Sequence, residues 1–215
     1  MAGIRARHAA AGRVTSVVED YLKVIWKMQE WSTEPVTTSL LAERLGVGAP
    51  TVSETVRRLV AHGWVEHEPY RAVTLTPEGR RLALAMVRRH RLLETWLVDE
   101  LGYGWDEVHD EAEVLEHAVS DKFVEALDVR LGRPRRDPHG DPIPSRDGTV
   151  EAPSAIPAAD LGAGERGTVV RVDDDDPAVL RWCTTEGITL DVVLTGPVDV
   201  PDAVLAALRV VRLDG

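Results

Sequence analysis

The segment His109-Asp-Glu-Ala-Glu-Val-Leu-Glu-His117 gathers four acids and two histidines into nine residues. Wound as a helix, it sets His109, Glu113, Glu116 and His117 at i, i+4, i+7 and i+8, on one face. Asp110 and Glu111 point elsewhere and stay in water. Two imidazoles and two carboxylates on one stripe make a plausible ligand set for a divalent cation. An acidic, solvated helix face carrying two incidental histidines fits the same nine residues. A second pair of the same kind, His90 and Glu94, stands at i, i+4 further upstream.

The elements that must position these groups can be read from periodicity. Residues 16–29, SVVEDYLKVIWKMQ, give a helix with an apolar stripe of Val17, Tyr21, Val24, Ile25 and Met28, and Asp20 stands beside that stripe. Ser39 to Leu45 is a short amphipathic helix stopped by Gly46, and Gly46-Val47-Gly48 leads to Pro50, a good first residue for the next helix. That helix turns Val52, Val56, Leu59 and Val60 inward and ends at Gly63. Its outward residues are Thr51, Ser53, Glu54, Thr55, Arg57 and Arg58. Trp64 to Glu68 and Ala72 to Leu75 read as two strands around Pro69-Tyr70-Arg71.

Helix, glycine turn, helix and hairpin is the layout of a winged helix-turn-helix. Short hydroxyl side chains permit close approach to base edges, while arginines hold phosphates. Pro50, Thr51, Ser53, Glu54, Thr55, Arg57, Arg58 and the wing residue Arg71 are therefore the candidate DNA-binding residues. The net charge of −11 argues against a nucleic-acid partner until its distribution is read. From Thr38 to Arg91 nine arginines face five glutamates, a net of +4, whereas from Val150 onward twelve acids face five arginines, a net of −7. The first half can meet DNA while the last part makes the whole chain acidic.

A long helix runs from Pro77 to about Gly102 and carries His90 and Glu94; the helix with the opening motif follows, and then SDKFVEALDVRLG, another amphipathic helix. Residues 133–157 hold six of the thirteen prolines and read as a linker. Beyond it, GTVVRV alternates like a strand, DDDDP caps a helix, PAVLRWCTTEG is that helix with its glycine stop, and ITLDVVL is a strand. The expected fold class is mostly α with small β elements, an α+β chain. Its expected parts are a winged helix-turn-helix over 1–76, a helical domain over 77–132, a proline-rich linker over 133–160 and a small domain over 161–215. No run of eighteen apolar residues occurs, so no membrane span is expected. The N-terminus MAGIRARHAAAGRVTS lacks an apolar core and does not read as a secretory signal. The only cysteine, Cys183, can form no internal disulfide, which fits a reducing cytoplasm.

The segments EDYLKVIW, LAERLGVGAPTVSETVRRL, MVRRHRLLETWL, VHDEAEVLEHAVSD and DPHGDPIP together resemble the diphtheria-toxin-repressor-like metalloregulators, of the actinobacterial manganese transport regulator type. The resemblance spans nearly the whole chain. It implies a winged-helix DNA domain, a helical dimerisation and metal domain, and a C-terminal SH3-like domain. It also implies a primary metal site of Asp20, Glu113, Glu116 and His117 and an ancillary site of His90, Glu94 and His109. Further ancillary ligands come from the SH3-like domain, where Asp176 in the run Asp173 to Asp176 is the candidate and helix capping is its rival role.

Iron-responsive members carry methionine and cysteine where this chain has Asp20 and Glu113. Hard oxygen donors suit Mn2+, with Fe2+, Co2+ or Zn2+ able to bind in vitro. The resemblance thus implies a manganese-responsive repressor acting as a homodimer on double-stranded operator DNA, with no membrane and no small-molecule substrate as partner. An iron-dependent repressor of the same family is the alternative. A metal-dependent hydrolase is a remoter one, since the sequence has no HExxH pattern and no evident substrate pocket.

Overall fold

A computed structural model of the chain describes residues 15–68 and 71–213. The chain separates into two compact units, 1–86 and 87–215.

The first unit holds α1 (Ser16–Glu30), α2 (Thr38–Arg44), α3 (Ala49–Ala61), a ribbon of β1 (Val65–Glu66) and β2 (Thr74–Leu75), and the start of α4 (Pro77–Leu101). Thr37 caps α2 by accepting from the Leu40 N–H at 3.2 Å. Gly46 ends that helix at φ +63°, and Pro50 opens α3 within its first turn. The two strands pair antiparallel, Val65 opposite Leu75 and Glu66 opposite Thr74, so the wing is shorter than the two expected runs. Its base is fixed by one close approach: a Cβ on Gly79 would lie 1.8 Å from the Trp64 carbonyl oxygen. The core between these elements is built from Leu22, Ile25, Leu41, Val52, Val56, Leu59 and Val73, all buried.

Two positions on α3 differ from expectation. Val60 is 40% exposed, and Thr55 is only 7% exposed. Thr55 lies three residues after Val52 and four before Leu59, so the 3.6-residue period carries it onto the inner stripe. It is therefore corrected from a base-facing residue to a core residue.

The second unit begins inside α4 and continues with α5 (Val108–Glu116) and α6 (Asp121–Arg130). Leu92, Leu93, Leu97, Val108, Ala112, Val124, Leu127 and Ile143 form its helical core. Ser120 caps α6 by accepting from the Phe123 N–H. A four-stranded antiparallel sheet follows, in the order β3 (Ile156–Pro157), β6 (Leu208–Arg212), β4 (Arg166–Val172), β5 (Val193–Thr195). It is covered by α7 (Pro177–Glu186) and α8 (Asp202–Ala207) around Val169, Val172, Leu180, Cys183, Val204 and Val210. The strand expected over ITLDVVL is confined to its end, because residues 189–192 make a turn with Asp191 at φ +68°.

The first part of the segment expected to be a linker is packed into the unit. Arg136 pairs with Pro142 across a tight hairpin, and Asp137, His139, Asp141 and Ile143 are buried. Proline composition marked chain stiffness here, and the stiff hairpin packs into the unit instead of spacing its parts. Among the described residues, no helix is long and apolar enough to cross a membrane.

Candidate metal centre and nucleic-acid interface

The helix period brings His90 and Glu94 to one side of α4, where α5 presents His109 and Glu116 to them. His90 Nδ1 lies 2.7 Å from Glu116 Oε2, and His90 Nε2 lies 2.9 Å from Glu94 Oε1. His109 Nδ1 is 3.2 Å from the same Glu94 oxygen and 3.4 Å from Asp174 Oδ2. Glu113, on the exposed side, approaches His109 Nε2 at 3.5 Å, and His117 Nε2 is 3.4 Å from Glu116 Oε1. His90, Glu94 and Glu116 are all buried. Asp20 lies on α1 in the first unit, half-buried.

Glu94 is also grouped with two residues that the sequence reading left out. One oxygen or nitrogen from each of Glu94, Asp137 and His139 lies within 4.8 Å of the others, and all three residues are buried. His139 Nε2 is 3.1 Å from the Trp105 carbonyl oxygen, so Nε2 carries the proton and donates it. The remaining ring nitrogen, Nδ1, is buried with no hydrogen-bond partner. A buried imidazole oriented by a carbonyl, with its second nitrogen unpartnered beside two carboxylates, is the arrangement of a metal-ligating histidine.

The electrostatics fit the same reading. Burial would raise Glu94, but the charge of His90 and hydrogen bonds from His109 and His90 hold its carboxyl well below the usual range. Asp137 goes the other way: burial, then the charges of Asp141 and Glu94, push it well above, against the pull of Arg91. Carboxylates crowded at close quarters need a cation or a proton, and the donor set suits a divalent ion.

The acidic run after β4 is divided between two tasks. Asp176 is the N-cap of α7, accepting from the Ala178 N–H at 2.8 Å. Asp174 is buried and is the member that reaches His109. The ligand candidate in this run is therefore corrected from Asp176 to Asp174. The cap holds Asp176 because Pro177 and Ala178 start the helix beside it. Asp137 and His139 had a signal in the sequence, since Asp, His and Asp alternate at 137, 139 and 141 within DPHGDPIP.

On α3, Pro50, Thr51, Ser53, Glu54, Arg57 and Arg58 are exposed together, and Arg71 is exposed at the wing. Arg57 pairs with Glu54, and Arg71 with Glu68 at 3.0 Å. These exposed pairs hold the arginines weakly and leave them available to phosphates.

Residues 13–73 match the family of iron dependent repressor N-terminal DNA binding domains, and residues 76–145 match the iron dependent repressor metal binding and dimerisation domain. The diphtheria toxin repressor of Corynebacterium glutamicum is 40% identical over 71% of this chain and 68% of its own length. That of Corynebacterium efficiens is 34% identical over 94% of this chain and 98% of its own. A solved structure described as a manganese-dependent transcriptional repressor in complex with manganese is 52% identical, with a TM-score of 0.84 over 91% of this chain and 99% of that one. The winged helix, the helical domain and the carboxylate–imidazole cluster thus define a metal-dependent transcriptional repressor. The chain belongs to the diphtheria toxin repressor family.

Proposed function

We propose that this protein is a manganese(II)-responsive transcriptional repressor that binds operator DNA as a homodimer and controls genes of metal uptake. The observation that carries the choice of metal is the donor chemistry. Every candidate ligand offers oxygen or nitrogen, and Cys183, the only cysteine, is buried in the core under the sheet. Oxygen-rich, sulfur-free sets suit manganese, which forms the weakest complexes of the first-row divalent ions and is selected by geometry and availability. The similarity to a repressor solved with manganese supports the same reading. Fe2+, Co2+ and Zn2+ are expected to bind in vitro.

In this reading Asp20, Glu113, Glu116 and His117 form one ligand set, and His90, Glu94, His109, Asp137, His139 and Asp174 serve a second. A bound cation supplies the positive charge that offsets repulsion among these carboxylates. Asp20 belongs to the DNA-binding unit and its partners in the set to the other, so ligation restricts how far the two can part. Pro50, Thr51, Ser53 and Glu54 approach base edges, while Arg57, Arg58 and Arg71 hold phosphates. Restricting the units favours the one spacing of two recognition helices that fits successive major grooves. The protein acts in the cytoplasm, has no catalytic role, and takes neither a membrane nor a small-molecule substrate as partner.

The test is an anaerobic DNA-binding titration against the protein's own promoter region with Mn2+ and Fe2+ in parallel. Activation by Mn2+ at concentrations where Fe2+ leaves the DNA unbound supports the proposal. The reverse order assigns the protein to iron.

A further inference from the structure

Arg171 is an arginine buried to 4% exposure on a strand of an otherwise apolar core. Alternation along β4 breaks at this point, where the pairing with β6 shifts register between Val169 and Arg171. Arg171 and Val172 are consequently both buried. The bulge directs the guanidinium at the hairpin. Its Nε donates to Asp141 Oδ1, and one terminal nitrogen donates to Asp173 Oδ2 at 3.0 Å. Asp141 in turn lies 3.5 Å from Arg91, which donates to the Pro142 carbonyl at 2.6 Å.

Backbone contacts seat the hairpin on the same bulge. The Val172 N–H donates to the His139 carbonyl at 2.9 Å. Gly140, at φ +96°, allows the approach: a Cβ there would stand 2.0 Å from the Val170 carbonyl oxygen. Asp137 Oδ1 accepts from the N–H groups of His139 and Asp141, which fixes the hairpin's own turn. One guanidinium therefore grips both the hairpin that carries Asp137 and His139 and the loop that carries Asp174. A buried ion network of this kind adds little stability over an apolar core, and its best-attested gain is a unique geometry.

We propose that Arg171 is a positioning residue for the second metal centre, holding Asp137, His139 and Asp174 in one arrangement around Glu94. The inference rests on the proposed reading of those four side chains as ligands. Arg171 acts on this cluster through its hydrogen bonds to Asp141 and Asp173. The expected loss on removing it is that of an outer partner of a metal ligand, about 10- to 100-fold in metal affinity.

The experiment titrates the full-length, metal-free chain with Co2+, following visible ligand-field absorption and heat of binding. Arg171→Met alone would leave Asp141 with one buried counter-charge fewer, so the variant Arg171→Met/Asp141→Asn removes both charges together. Its expected result is about 10- to 100-fold weaker binding of one of two cobalt ions, with an altered spectrum for that ion and the other ion unchanged. Asp174→Ala should give a loss of similar size, and combining it with the double variant should add little. Arg171→Lys, which keeps the charge and loses the fork, should recover part of the affinity. Unchanged affinity and spectrum in the double variant, or fully additive losses with Asp174→Ala, would overturn the positioning role. Unchanged cobalt binding in Glu94→Ala and His139→Ala would overturn the ligand reading itself, and the positioning role with it.

Discussion

Glu116 Oε2 stands 2.7 Å from His90 Nδ1, so a carboxylate of one proposed ligand set orients an imidazole of the other. One hydrogen bond thus links the two proposed ligand sets. Glu116→Ala or Asp20→Ala should reduce manganese-activated operator binding by more than about 100-fold, whereas His109→Ala should cost about tenfold, the scale of a supporting site. Operator binding across these variants, with circular dichroism to confirm folding, checks the ranking. Full manganese activation in Glu116→Ala would reduce α5 to a charged helix face.

Asp20 and Glu113 are the positions where donor type is proposed to select the metal. Replacing Asp20 by Met and Glu113 by Cys together should shift the response from manganese towards iron and other softer ions. The measure is the ratio of the two activating concentrations. A ratio equal to that of the parent protein would remove both residues from metal selection.

Arg58 is exposed on α3, where it is proposed to hold a phosphate. Arg58→Ala should weaken specific and random DNA alike and lower the slope of log affinity against log salt by about one. An unchanged slope would place Arg58 away from the phosphates.

Val114 and Val129, 71% and 62% exposed on α5 and α6, are large apolar side chains left uncovered in a single chain, and Phe123 is 41% exposed nearby in sequence. Apolar exposure of this kind on a helical unit marks an association surface. Light scattering on the metal-free protein at micromolar concentration should give the mass of a dimer. A monomer with and without metal would refute the homodimer.

Asp176 and Asp174 are separated by two positions and are expected to differ in kind. Asp176→Ala should lower stability by about 1 kcal/mol, the usual worth of a helix N-cap, and leave metal stoichiometry intact. Asp174→Ala should do the reverse. Thermal melts and metal titration of the pair distinguish the two.

Helices with one apolar stripe were legible in the sequence because the 3.6-residue period leaves a direct mark. That period put His109, Glu113 and Glu116 on α5 and His90 and Glu94 on α4, with His117 as the cap of α5. It also misplaced Thr55, since a small hydroxyl residue on the border of a stripe looks the same whether it faces in or out. Asp137 and His139 escaped because their burial depends on the bulge at Arg171, some thirty residues further on, which Gly140 lets the hairpin approach. Within the acidic run, composition marked a ligand-rich loop, but only the start of α7 decided which aspartate caps a helix and which turns inward.

Asp141 lies between Arg91 on α4 and Arg171 on β4, charges drawn from three distant stretches of chain. Burying any one of the three ahead of the others weakens the compensation of a buried charge, and losing a partner of such a charge costs about 3–5 kcal/mol. That is a large fraction of the stability of a whole domain. The helical core and the sheet beside it therefore cannot come apart in stages. Residues 87–215 should melt as one cooperative body, and a fragment ending before the hairpin, at Gly132, would expose Arg91 and its neighbours to rapid proteolysis.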